Sequence, residues 1–108
     1  MDEDLRWVVD IIHIQITSLY DAMGNKKVRR EDFDRYSYSV FALSETLRAI
    51  ADEDYGMMTC DGIELLVKAQ RDLYLAYMES NDGRYHRYTY CYEMMCELLK
   101  MIGVVGRC

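Results

Sequence analysis

The stretch Ile11-Ile12-His13-Ile14-Gln15-Ile16-Thr17 can be read as a strand or as a helix, and that choice decides the fold. As a strand, Ile12, Ile14 and Ile16 alternate with His13, Gln15 and Thr17, the period-two pattern of a half-buried sheet. Isoleucine's branched Cβ favours that reading. As a helix, the stretch is the middle of a longer run. Leu5, Val9, Ile12, Ile16, Leu19 and Met23 follow one another in steps of four and three, which places them on one helical face. Length decides. Neither glycine nor proline occurs before Gly24, and about twenty residues without a turn signal far exceed an ordinary strand. The expectation is a helix over residues 2–23.

Outward from there the same rhythm returns three times. Residues 28–51 carry Phe33, Tyr36, Val40, Leu43, Leu47 and Ile50, with Glu31 and Asp32 early in the run, where a helix dipole favours negative charge. Residues 61–79 carry Ile63, Leu66, Leu73 and Tyr77, with Gln70 at the edge of the stripe. Asp61 and Glu64 have the spacing of a capping box. Residues 84–102 carry two adjacent stripes: Tyr85, Tyr88, Tyr92, Met95, Leu99 and Ile102, then Cys91, Met94, Leu98 and Met101. Gly103 suits a left-handed helix end. The chain contains no proline, so nothing interrupts these segments. Short connections favour antiparallel neighbours. The expected fold class is all-α: a four-helix antiparallel up-down-up-down bundle, residues 1–108 forming a single domain.

Composition agrees with a packed core. The 108 residues are 51% hydrophobic and 30% charged, which excludes a disordered chain. A domain of this size buries roughly two thirds of the surface its unfolded chain exposes. Charges interrupt every apolar run, so no membrane span is expected. The acidic start Met1-Asp2-Glu3-Asp4 is unlike a secretory signal. Of the four cysteines, Cys91 and Cys96 fall inside an expected helix, Cys60 lies near a connection and Cys108 ends the chain. Reduced thiols and a cytoplasmic setting, in a cell or a host cell, are expected.

The expected topology gathers the charges unevenly. One end collects the first and third connections, where seven bases, among them Lys26, Lys27, Arg29 and Arg30, nearly cancel six acids. At the other end eleven acids, Asp52, Glu53 and Asp54 foremost, face four bases. The net charge of −6 therefore sits at that end. Such a field steers association with basic surfaces and repels phosphate, which disfavours direct nucleic-acid binding. The expected function is that of a small acidic non-enzymatic binding protein: an adaptor, inhibitor or regulator. Its expected partner is a protein with a basic surface, including one that ordinarily grips nucleic acid. Asp52, Glu53 and Asp54 are the candidate electrostatic contacts, and Trp7, Met57 and Met58 the candidate apolar ones. Trp7, Ile11 and Ile14 exceed what one stripe needs, which leaves room for a homodimer. The ten tyrosines are expected to divide between core and contact surface. No metal, cofactor or catalytic residue is assigned. Cys91 and Cys96 are about 140° apart on a helix, too far to chelate one zinc ion.

Two stretches resemble known families. The segment from Asp21 to Asp32 resembles an EF-hand loop, with Asp21, Asn25, Val28 and Asp32 at matching positions. Met23 and Lys26 stand where that family places a ligand and a glycine. Asn81-Asp82-Gly83-Arg84-Tyr85 resembles the middle of a second such loop, with Met78 and Thr89 at its ends. Both are read as helix-connecting turns. Arg6 and His13, seven residues apart with Asp10 between them, resemble the Arg-x4-6-His motif of HEPN ribonucleases. Those are small helical bundles that place this pair at a dimer interface. The resemblance implies a dimeric ribonuclease using Arg6 and His13. The sequence departs from the pattern in placing Trp7 after the arginine and the pair on the first helix.

Overall fold

The computed structural model describes residues 6–52, 59–79 and 87–105. They form four helices: α1 (Arg6–Met23), α2 (Arg30–Asp52), α3 (Cys60–Met78) and α4 (Tyr88–Val105). Among the described residues there is no strand. Ile12 to Thr17 lie inside α1, as length argued. None of these helices is long and apolar enough to cross a membrane.

Local chemistry sets the helix ends. After Met23, the Gly24 N–H donates to the Tyr20 carbonyl (3.0 Å). The Asn25 side chain then accepts from the Lys27 N–H (3.0 Å), and the Val28 N–H donates to the Asn25 carbonyl (3.1 Å). These bonds turn the chain within a few residues. At the start of α3 the cap is Thr59 rather than Asp61. Thr59 is extended, at φ −111° and ψ 166°, and its hydroxyl accepts from the Gly62 N–H (3.0 Å). Threonine two residues earlier thus satisfies the orphan donor, and Asp61 stands in the first turn. Gly103 does not end α4, which continues to Val105, and no described glycine has positive φ.

α1 packs chiefly on α2, α2 directly on α4, and α3 on α4 with a lesser contact to α2. α2 and α4 run side by side in the same sense: Asp34 meets Arg87, the Tyr38 carbonyl meets Cys91, and Thr46 meets Met95. α3 and α4 run opposed, since Tyr74 and Tyr77 near the end of α3 flank Tyr88 at the start of α4. One core joins all four helices: Val8 and Ile12; Ala42, Leu43 and Ile50; Ile63, Val67 and Tyr74; Cys91, Met95, Leu98 and Ile102.

This core revises three stripes. On α3 the buried face is Ile63, Val67 and Tyr74, while Leu73 turns outward and Gln70 is half-buried. On α4 the buried line takes Cys91 and Leu98 from one expected stripe and Met95 and Ile102 from the other. On α2 the small residues Ser39, Ala42 and Thr46 are buried and Phe33 is not. The thiols also differ from expectation. Cys91 and Cys96 are free, but Cys60, at the first turn of α3, is disulfide-bonded.

Candidate functional site

Of the six expected contact residues, Trp7 and Asp52 fall within the described helices and the others lie outside the described residues. Trp7 sits in the first turn of α1, half-buried against the core. Asp52 is the last residue of α2. Glu53, Asp54, Met57 and Met58 lie outside the described residues, as do Asp2 to Asp4 and the loop with Arg84, Tyr85 and His86.

What the structure does assemble is an apolar surface around α2. The first part is a groove of about 450 Å³ between the end of α1 and the first half of α2. Tyr20, Met23, Gly24, Phe33, Ser37 and Val40 line it. Tyr20 is 58% exposed and Phe33 44%. The Ser37 hydroxyl donates to Met23 Sδ (3.3 Å) across its floor. The second part, of about 350 Å³, is lined by Ser37, Tyr38, Phe41 and Tyr88. Ser37 lines both, so the two grooves adjoin at α2.

Tyrosines close one side of this surface. The Tyr88 ring lies 5.8 Å from Tyr74, 4.8 Å from Tyr77 and, edge-on, 6.3 Å from Tyr38. The Arg87 guanidinium stands 6.0 Å from the Tyr38 ring and 3.7 Å from Asp34, anchored by a cation–π contact and an ion pair. Its pKa rises through its hydrogen bond to Tyr38 and the Asp34 charge. Tyr74 is buried, and burial holds its phenol well above the usual range. Burial likewise pushes the Cys91 thiol up to about 12, so at neutral pH it is a protonated core group that donates to the Tyr38 carbonyl (3.3 Å). Both groups are core members behind the tyrosines rather than part of the groove lining.

The motifs drawn from the sequence fall elsewhere. Arg6, Asp10, His13 and Thr17 are all exposed along α1, the disposition of a solvated polar stripe. The segment from Asp21 to Asp32 is a helix end, a tight turn and a helix start. The Asp32 carboxylate is taken by Arg29 (3.0 Å) and Arg35 (2.9 Å), and the Asn25 side chain closes the turn. Among the described residues no three His, Cys, Asp or Glu gather as a metal site.

Charges of the described residues pair mainly along their own helices: Glu45 with Arg48, Glu64 with Lys68 and Glu97 with Lys100. These exposed pairs contribute little energy, but they neutralise their members.

Sequence reasoning missed the surface because it assigned Phe33 to the core and gave Tyr20 and Phe41 no place. A signal was present. Phe41 lies among Ser37, Ser44 and Arg48, positions that a polar helix face occupies. No protein-family model, no curated protein and no solved structure matches the chain.

Proposed function

We propose that this chain is a small acidic non-enzymatic binding protein, an adaptor, inhibitor or regulator that works through protein–protein contact. The observation that carries the reading is the apolar groove between α1 and α2. The groove, of about 450 Å³, is open and mostly apolar, the character of a surface that a partner can cover. Tyr20 and Phe33 stand at its lips, aromatic groups that release most energy when a partner covers them. The preferred partner is a protein with a basic surface, since the chain carries a net charge of −6. The helices take an up-down-up-down course in this reading. The parallel run of α2 and α4 and the opposed run of α3 and α4 support it. That course brings Asp52, Glu53 and Asp54 to the same end as the acidic start of the chain. The acidic end then speeds encounter, and the groove holds the partner once it arrives.

The test is affinity capture from native host extract, comparing the wild type with two variants. Replacing Asp52, Glu53 and Asp54 by lysine should weaken capture most at low salt. Phe33→Ser should weaken it at every salt concentration. Undiminished binding by both variants refutes the reading. Labelled RNA incubated with the wild type and with His13→Ala separates the ribonuclease alternative. Cleavage by the wild type alone would replace the binding reading with an HEPN-like activity at Arg6 and His13.

A further inference from the structure

The outer face of α2 carries a second stripe, distinct from its buried one. Arg30, Asp34, Ser37, Phe41, Glu45 and Arg48 follow in steps of four, three, four, four and three, so they share one helical face. None of them is buried: Arg30, Phe41 and Arg48 are exposed and the rest are half-exposed. Phe41, 43% exposed, sits at the centre of the stripe.

We propose that this face binds a second copy of the same chain, the two α2 helices lying antiparallel across a two-fold axis at Phe41. Such an axis sets each residue before Phe41 against the partner's residue equally far after it. Phe41 then meets the partner's Phe41. Four residues away on either side, the Ser37 hydroxyl meets the partner's Glu45 and can donate to its carboxylate in place of Met23 Sδ. Seven residues away, Asp34, which lies 3.7 Å from Arg87 within its own chain, meets the partner's Arg48, which exchanges its own-chain Glu45 for it, and the symmetry makes this pair twice.

Two alternative pairings are worse on charge. A parallel pairing centred on Phe41 sets Asp34 against Asp34 and Arg48 against Arg48. Moving the antiparallel axis toward the start of the helix, to residue 39, sets Arg30 against Arg48. Like charges held together in this way penalise a wrong register. The stripe from Arg30 to Arg48 spans about 27 Å at 1.5 Å per residue, and the groove lined by Ser37, Tyr38, Phe41 and Tyr88 extends its apolar centre. The inference does not depend on the proposed partner, because the purified chain alone tests it.

The decisive experiment is a charge swap read by sedimentation velocity over a concentration series. Wild-type chain should move from monomer to dimer as concentration rises. Asp34→Arg places two like-charged pairs in the interface, as does Arg48→Asp, and each should weaken the dimer at least about tenfold. Mixing the two single variants restores opposite charge at both contacts, so a heterodimer should form with wild-type strength. That mixture also shows that both variants are folded. A wild type that stays monomeric to the highest soluble concentration would overturn the proposal and leave the face to a different protein. So would single variants that dimerise like the wild type, an unrestored mixture, or assemblies larger than a dimer.

Discussion

Val67 and Leu73 give the sharpest test of how α3 sits. The heptad pattern puts Leu73 in the core and leaves Val67 out. The structure reverses them, with Val67 fully buried and Leu73 46% exposed. Leu73→Ala deletes three carbons and Val67→Ala only two, so a reading based on side-chain size makes the leucine variant the worse. Burial argues the other way. Val67→Ala removes two carbons from a site walled on all sides, at about 0.8 kcal/mol each, and leaves a cavity, for a loss of about 2–3 kcal/mol. Leu73→Ala forfeits roughly half the burial of one leucine, about 1 kcal/mol, and alanine's higher helix propensity returns a little of that. Urea unfolding measures both, with unchanged slope as the sign that only stability has moved. At about 4–8 °C per kcal/mol, the valine variant should melt roughly 8–24 °C below the wild type and the leucine variant less than about 8 °C below. If Leu73→Ala costs as much as Val67→Ala, α3 does not sit as described.

Thr59→Ala removes the hydroxyl that caps α3 and should cost about 1 kcal/mol, read by the same urea titration. Gly103→Ala should stabilise by about 0.5–1 kcal/mol, because Gly103 is helical and a Cβ there meets nothing within 4 Å; a lower melting temperature would refute the helical assignment. Cys91 gives a pH dependence. Its thiol titrates near 9.0 when unfolded and is pushed to about 12 by burial. Above pH 9 the unfolded chain therefore holds fewer protons, so stability present below pH 9 is lost progressively toward pH 12, with a slope approaching about 1.4 kcal/mol per pH unit. Tyr74, also raised by burial, adds to the fall above pH 10. Urea midpoints from pH 8 to 11 should decline in the wild type and more gently in Cys91→Ala. A thiol reagent at pH 8 should modify the half-buried Cys96 before Cys91, as mass spectrometry of the modified protein would report.

Much of the fold was legible because it rests on local signals. The glycine-asparagine turn, the unbroken runs and the three-four spacing are each readable within a few residues. So are Arg29–Asp32, Glu45–Arg48, Glu64–Lys68 and Glu97–Lys100, ion pairs at helical spacing. The face of α3 was not legible, because Leu65, Leu66, Leu73 and Leu75 surround the helix and offer several stripes of similar strength. What selects among them is Tyr88 of α4, whose ring needs Tyr74 and Tyr77 beside it. The Arg87–Asp34 pair was hidden for the same reason, since it exists only where α2 and α4 meet.

The α2–α4 contact also explains why the candidate surface escaped a reading that counted large apolar residues. α2 turns its smallest side chains, Ser39, Ala42 and Thr46, into the core. The two hydroxyls satisfy themselves on their own helix, Ser39 donating to the Arg35 carbonyl (2.8 Å) and Thr46 to the Ala42 carbonyl (2.9 Å). Their partners can therefore be apolar or weakly polar. Thr46 Oγ1 lies 3.4 Å from Met95 Sδ, and the Cys91 thiol comes close enough to bond a backbone carbonyl of α2. Small residues permit that close approach, and α4 fills the space with methionine and cysteine. At 100° per residue, Phe33, Ser37 and Phe41 then lie opposite Ser39, Ala42 and Thr46. Phe33, which the three-four stripe would draw inward, is left outside while Ser39, Ala42 and Thr46 share the core with Leu43 and Ile50. A buried run of serine, alanine and threonine at helical spacing is thus the sequence mark of an aromatic face turned outward. Enlarging Ala42 to leucine would test that link: it should push α2 off α4 and destabilise the fold by about 1–3 kcal/mol.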